Sequence, residues 1–122
     1  MLVEDIMTVE VVTCPAGDTL ADAARRMLQR GVGSVVVTRD GDPGGIVTET
    51  DALRAGASTE RPFADIGVEA VASRPLVTTT RETTVRKAVD RMREEEVKKL
   101  PVVDGLELVG IVTRSDVATH YG

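Results

Sequence analysis

The sequence predicts an α+β fold: two tandem β-α-β-β-α units packed as one pseudo-two-fold domain. Three observations lead there. The 122-residue chain matches itself without a gap at a shift of about 65 residues. Each half carries the same succession of extended and helical apolar patterns. One half alone, at roughly 50–55 residues, buries too little apolar surface to stand comfortably by itself.

The self-match is specific. Val12–Thr13 falls on Val77–Thr78, Thr19 on Thr84, Ala23 on Ala88 and Arg26–Met27 on Arg91–Met92. Val32 falls on Val97, Val37 on Val102, Gly45–Thr48 on Gly110–Thr113 and Asp51 on Asp116. The matches cluster at apolar, Gly, Thr and Asp positions, where packing or chemistry restricts the residue.

The elements follow in order. Val3–Met7 and Val68–Ala72 read as short lead-in helices. Val9–Thr13 and Leu76–Thr78 are β-branched extended runs. Turns at residues 14–18 and 79–82 feed a helix in each half, capped by Asp18 or Thr19 and by Thr83 or Thr84. Leu20, Ala23, Ala24, Met27 and Leu28 keep helical spacing, as do Val85, Ala88, Val89 and Met92. Gly31 ends the first of these helices, and the second frays near Glu95–Glu96. Strands are expected at Ser34–Thr38 and Gly45–Thr48, joined through Arg39–Gly44. Their counterparts are Leu100–Val103 and Leu108–Thr113, joined at Asp104–Gly105. Thr50–Ala55 and Ser115–His120 close the halves as helices. The expected boundaries are residues 1–56 for the first repeat, 57–67 for a polar linker and 68–122 for the second.

Composition narrows the function. The net charge is −5 and aromatics are one Phe, one Tyr and no Trp. A broad basic surface for nucleic acid and stacking platforms for single strands are both missing. One cysteine, Cys14, gives neither an intrachain disulfide nor a thiolate metal cluster. No apolar run approaches the ~20 residues of a membrane span, and the opening Met1–Met7 carries Glu4 and Asp5 instead of a signal sequence. The expectation is a cytoplasmic protein without catalytic residues, metal or required cofactor.

Two heptads carry the most specific signal. Gly45-Ile46-Val47-Thr48-Glu49-Thr50-Asp51 and Gly110-Ile111-Val112-Thr113-Arg114-Ser115-Asp116 share one pattern at matching positions. With Leu100–Asp104 upstream and Asp5–Thr8 at the start, they resemble the CBS domain pair, or Bateman module, over essentially the whole chain. The resemblance implies a free-standing, non-catalytic regulatory module. It would bind an adenine nucleotide or adenosyl ligand (AMP, ADP, ATP or S-adenosylmethionine) in clefts between the repeats.

The heptad chemistry is intelligible from the residues. Each ends a strand and begins a helix, whose first N–H groups and dipole favour phosphate. The hydroxyls of Thr48 and Thr113 can donate to phosphate oxygens, and the carboxylates of Asp51 and Asp116 can accept from ribose hydroxyls. The plainer role is capping, with Thr and Asp as reciprocal partners; both roles can coexist. The resemblance further implies that backbone near Thr13 and Thr78 approaches the base, and that basic residues at Lys98 and Lys99 contact phosphate. Arg114 adds a cation where the first repeat has Glu49, so the two sites should be unequal. These cations could equally be solvated surface charges. Cys14 reads first as a small buried hydrophobe, with a place in a ligand cavity as the alternative. His120 reads as a surface residue.

Two other functions compete with ligand sensing. One is a structural dimerisation module with no physiological ligand. The other is a label carried over from IMP dehydrogenases, which contain such pairs, although this chain has no room for a (β/α)₈ barrel of ~250 residues. A homodimer is expected, because CBS pairs associate through their helices and the stripes Leu20–Leu28 and Val85–Met92 exceed what a small sheet covers. An unknown effector protein is a further possible partner.

Overall fold

The computed structural model describes residues 1–121. In chain order the elements are α1 (Val3–Ile6), β1 (Thr13–Pro15), α2 (Leu20–Arg30), β2 (Ser34–Arg39), β3 (Asp42–Thr48) and α3 (Glu49–Ser58). A 3₁₀ turn (Phe63–Asp65) follows, then α4 (Val68–Val71), α5 (Val85–Glu94), β4 (Lys99–Asp104), β5 (Glu107–Thr113) and α6 (Arg114–Tyr121). The class is α+β with two small sheets, as expected. Contacts divide the chain into two compact units: Val12–Leu76, and Met1–Val11 joined to the chain from Val77 onward.

In the first unit α2 is helical because Leu20, Ala23 and Met27 fall on one buried face. Thr19 caps it, accepting from the Asp22 N–H, and Gly31 ends it in the left-handed region at φ 64°. The β2–β3 hairpin is antiparallel, with Ser34 opposite Thr48 and Arg39 opposite Asp42. It turns on Asp40–Gly41, whose φ values of 53° and 85° suit the twist of a two-residue hairpin loop. β1 adds in parallel to β2. Cys14, Leu20, Ala23, Met27, Val35, Val37 and Val47 form the centre of the core.

The second unit repeats the plan with one loss. Thr84 caps α5, whose buried face is Val85, Ala88 and Met92. β4 and β5 pair from Lys99–Thr113 to Asp104–Glu107, so the hairpin loop is Gly105–Leu106, one residue later than expected. The expected strand Leu76–Thr78 is absent; only Thr79 bridges to Val102. The reason lies in β4. In the first unit the Val36 N–H donates to the Val12 carbonyl at 2.9 Å. The residue at that repeat position is Pro101, which has no N–H to give. The first strand is also shorter and later than expected, Thr13–Pro15 in place of Val9–Thr13, because those are the residues paired with β2.

Packing is offset from the sequence repeats. The lead-in helix α1 is built into the second unit: Val3 and Ile6 pack with Val85, Ala88, Met92 and Leu100. Ile66 and α4's Val68 join the first unit's core. Thr8 exchanges two 2.9 Å hydrogen bonds with Ile111, and Ser73 pairs likewise with Ile46. The glycine opening each heptad makes room for these segments. A Cβ on Gly110 would lie 2.9 Å from the Thr8 carbonyl oxygen, and one on Gly45 3.2 Å from that of Ser73.

The stripes invoked above for dimerisation are mostly interior. Leu20, Ala23, Met27, Val85, Ala88 and Met92 are all buried, because each faces its own small sheet. Leu28 is the exception at 83% exposed, with Leu53 of α3 at 73%. Among the described residues no helix is long and apolar enough to cross a membrane.

Candidate functional site

Each heptad forms a strand-to-helix junction of the same geometry. Thr48 ends β3 and is the N-cap of α3. Its N–H donates to Asp51 Oδ2 at 2.9 Å, and its Oγ1 accepts from the Asp51 N–H at 3.2 Å. In the other unit the Thr113 N–H donates to Asp116 Oδ2 at 2.9 Å, and Thr113 Oγ1 accepts from the Asp116 N–H at 3.0 Å. The capping role is therefore realised twice. It leaves chemistry over: each Thr hydroxyl keeps its own proton to donate, and no described hydrogen bond uses Asp51 Oδ1 or Asp116 Oδ1.

The helix N-termini are less open than the sequence argument assumed. The Glu49 N–H donates to the Gly33 carbonyl at 3.0 Å and the Arg114 N–H to the Lys98 carbonyl at 2.9 Å. With Asp51 and Asp116 also engaged, Thr50 and Ser115 carry the first-turn N–H groups that these bonds leave over. Any phosphate contact must lean on side chains more than on the helix end.

The hairpin register decides which side chains share each junction. Lys99 stands directly opposite Thr113, and Lys98 is tied through its carbonyl to Arg114. Lys98, Lys99, Thr113, Arg114 and Asp116 therefore gather at one end of the β4–β5 hairpin. In the first unit Ser34 stands opposite Thr48, and Gly33 is tied to Glu49. At the matched positions the same backbone thus carries three cations and one carboxylate in one unit and two carboxylates in the other, where Arg54 and Arg61 line a pocket together with Asp51. Lys98 and Arg114 are exposed and Lys99 half-buried.

Thr13 and Thr78 lie further along the sheets. Thr13 is registered with Val36, two positions beyond Ser34, and Thr78 precedes the Thr79 bridge. Both carbonyls are occupied: Thr13's accepts from Arg26 Nη1, and Thr78's from Arg91 Nε at 2.9 Å. Sequence reasoning gave the two arginines no role. The available signal was an identical Arg–Met pair at one repeat position.

A third reciprocal cap, Thr19–Asp22, has the same form as the two heptad caps. The Thr19 hydrogen bonds, backbone first and then side chain, hold the Asp22 carboxyl below its ordinary range against a smaller opposing effect of desolvation, with Arg25 adding to the lowering. Here the helix start is covered by chain, since the Leu20 N–H donates to the Ile66 carbonyl at 2.8 Å. Cys14 is fully buried in the core. Burial first, then the Asp18 and Asp22 carboxylates, push its thiol up to about 11 against the opposing Arg26. It is a neutral core side chain near pH 7, not a nucleophile. His120 is an exposed residue in the last turn of α6.

Two such junctions, one on each unit's strand–strand–helix end, are the arrangement of a CBS pair. The CBS domain model matches residues 3–58 and 68–122, and the chain belongs to that family. The CBS domain-containing protein YhcV of Bacillus subtilis is 34% identical over 122 residues, covering 97% of this chain and 84% of its own length. The chain spans about half the length of other relatives it matches, 56% of a Methanopyrus kandleri protein and 53% of a mitochondrial CBS protein of Arabidopsis thaliana. Among solved structures, a hexameric CBS-CP12 protein from bloom-forming cyanobacteria is 29% identical with a TM-score of 0.91, covering 98% of this chain and 71% of that one. The CBS domain pair of protein MJ0100, in complex with 5′-methylthioadenosine and S-adenosyl-L-methionine, has the same fold: TM-score 0.90 at 24% identity, over 100% of this chain and 96% of that one.

Proposed function

We propose that this protein is a non-catalytic sensor that binds adenosyl ligands (AMP, ADP, ATP or S-adenosylmethionine) at the two Thr/Asp junctions. One observation carries the reading. Each junction satisfies its own cap and still offers a carboxylate oxygen and a hydroxyl proton, the pair that a ribose and its 5′ substituent require. The adenosyl complex of a protein with this fold supports the ligand class. The junction of Thr113, Arg114 and Asp116, with Lys98 and Lys99 beside it, takes the phosphorylated ligand. The junction of Thr48 and Asp51, flanked by Glu49, takes phosphate less well. The same proposal takes the protein to act in the cytoplasm.

Calorimetric titration with AMP, ATP, NAD and S-adenosylmethionine tests this. A purely structural module would show no heat of binding, and no thermal shift where a true ligand at ~100 Kd adds about 2.7 kcal/mol. Self-association belongs to the same proposal. The exposed Leu28 and Leu53 flank a groove of about 450 Å³ lined by Ala24, Met27, Ala52 and Phe63. A second copy of the chain is the partner proposed for that face. An effector protein that reads the bound state completes the proposal.

A further inference from the structure

We propose that the groove between α3 and α4 of the first unit is a polyphosphate-binding site, held by Arg54 and Arg61. The inference goes beyond the adenosyl reading, which puts phosphate at the strand-to-helix junctions, and adds a place for it that neither heptad predicts.

The groove has a volume of about 350 Å³, within the ~300–1,000 Å³ of small-molecule sites. All of its lining belongs to the first unit. Ile66, Ala70 and Val71 supply an apolar wall, and Asp51, Arg54 and Arg61 the charge. Arg54 follows Asp51 by three residues, which sets both on one face of α3. The loop after α3 brings Arg61 to the same groove, where its guanidinium donates to the Asp65 carbonyl. Among the described residues Arg54 has no ion pair or side-chain hydrogen bond, and Arg61 has only that one carbonyl. Both guanidinium forks keep donors to spare. Each fork can bind two oxygens of a phosphate at once, and a chain of phosphates offers oxygens to both. In the second unit Thr119 stands at the repeat position of Arg54, so the arginine is not a requirement of the shared fold.

Two effects oppose an anion here, and the structure limits both. The last carbonyls of a helix carry partial negative charge. The Ser58 hydroxyl donates to the Arg54 carbonyl at 2.7 Å and the Thr59 hydroxyl to the Ala55 carbonyl at 3.0 Å, so two of them are covered. The Asp51 carboxylate is the other. The two guanidinium groups outnumber it, and its Oδ2 is already held by the Thr48 N–H. The groove is left with positive charge on a chain whose net charge is −5, so a bound anion answers to these residues and not to a general basic surface.

The test is calorimetric titration of tripolyphosphate, ATP and AMP into the full chain, with thermal midpoints measured alongside. The proteins are wild type, Arg54→Gln, Arg54→Lys and the double variant Arg54→Gln with Arg61→Gln. Both arginines are exposed, so all should melt within a few degrees of wild type. Arg86→Gln, which alters an exposed cation of α5 in the second unit, is the control for surface charge. Tripolyphosphate should weaken about tenfold in Arg54→Gln and less in Arg54→Lys, which keeps the charge without the fork. The double variant should bind one equivalent fewer, and AMP should be unmoved. Loss with ATP, alone or together with tripolyphosphate, assigns the chain to a nucleotide; loss with tripolyphosphate alone assigns the groove to free polyphosphate. The inference is overturned by unchanged binding of both in the double variant, by an equal loss in Arg86→Gln, by an equal loss of AMP, or by a wild type that binds neither. The adenosyl reading is decided separately, by AMP and S-adenosylmethionine binding to the wild type.

Discussion

Replacing Gly110 by Ala should cost more stability than the same change at Gly45, although the two glycines open identical heptads. A methyl carbon at Gly110 would stand 2.8 Å from Met7 Sδ and 2.9 Å from the Thr8 carbonyl oxygen, inside the ~3.5 Å of ordinary contact. The thioether can swing aside. The carbonyl cannot, because it accepts from Ile111 N–H at 2.9 Å while the Thr8 N–H donates back to Ile111 at the same distance. Relief requires lifting the lead-in segment from β5. That loosens two hydrogen bonds at roughly 0.5–1.5 kcal/mol each and disturbs the packing of Val3 and Ile6, which are 0% and 4% exposed. The expected loss is about 2–4 kcal/mol. At Gly45 the nearest atoms are Arg74 Cγ at 3.1 Å, the Ser73 oxygen at 3.2 Å and Ala72 Cβ at 3.3 Å. A shift of a few tenths of an ångström accommodates them, for about 1 kcal/mol. Equilibrium urea unfolding reads both losses. Equal losses, or full recovery of Gly110→Ala by Met7→Ala, would refute the reasoning, since the second result would make the movable sulfur and not the fixed carbonyl the obstacle.

Two further outcomes follow from the structure. The Cys14 thiol is raised to about 11 from 9.0, so its folded pKa lies above the unfolded one. Its contribution is complete below about pH 9 and is lost as pH rises through 11, at about 3 kcal/mol; Cys14→Ala should flatten the alkaline limb of a stability–pH curve, and an unchanged limb would contradict the burial argument. Leu28→Asp with Leu53→Asp, placed on the two most exposed leucines of the first unit, should leave the thermal midpoint near wild type and convert a dimer to a monomer in light scattering. An unaltered dimer would move the interface elsewhere.

Much of this was legible in the sequence because the duplication acts as its own control. Helix faces, caps narrowed to Asp18 or Thr19 and to Thr83 or Thr84, the stop at Gly31 and the paired hairpins all follow from local pattern and turn chemistry; the structure picks Thr19 and Thr84. The lead-in exchange does not. Val3 and Ile6 have the same short apolar pattern as Val68 and Val71, so nothing local says which core receives which. The missing strand near Leu76–Thr78 was readable only by noticing that Pro101 replaces a required donor. Residues 57–67 looked like a polar linker, yet Ile66 is core, because one apolar side chain in a polar stretch carries no period. At the site, residue type announced Thr48, Asp51, Thr113 and Asp116. The hairpin register that sets Lys99 against Thr113, and the long-range bonds of Arg26 and Arg91, are tertiary facts with no local signature.

The central claim is that the heptad aspartates serve a ligand as well as a helix, and the third cap supplies the control. AMP is titrated into wild type, Asp116→Ala, Asp51→Ala and Asp22→Ala. All three variants lose a reciprocal cap of the same form and should lose about 1 kcal/mol of stability each. Only the first two should lose affinity. Asp116→Ala should weaken AMP by the roughly 1.5–3 kcal/mol of a charged hydrogen bond, Asp51→Ala should weaken it less because Glu49 already disfavours phosphate there, and Asp22→Ala should bind as wild type does. Affinity unchanged in both heptad variants would contradict the account and leave Asp51 and Asp116 as helix caps alone.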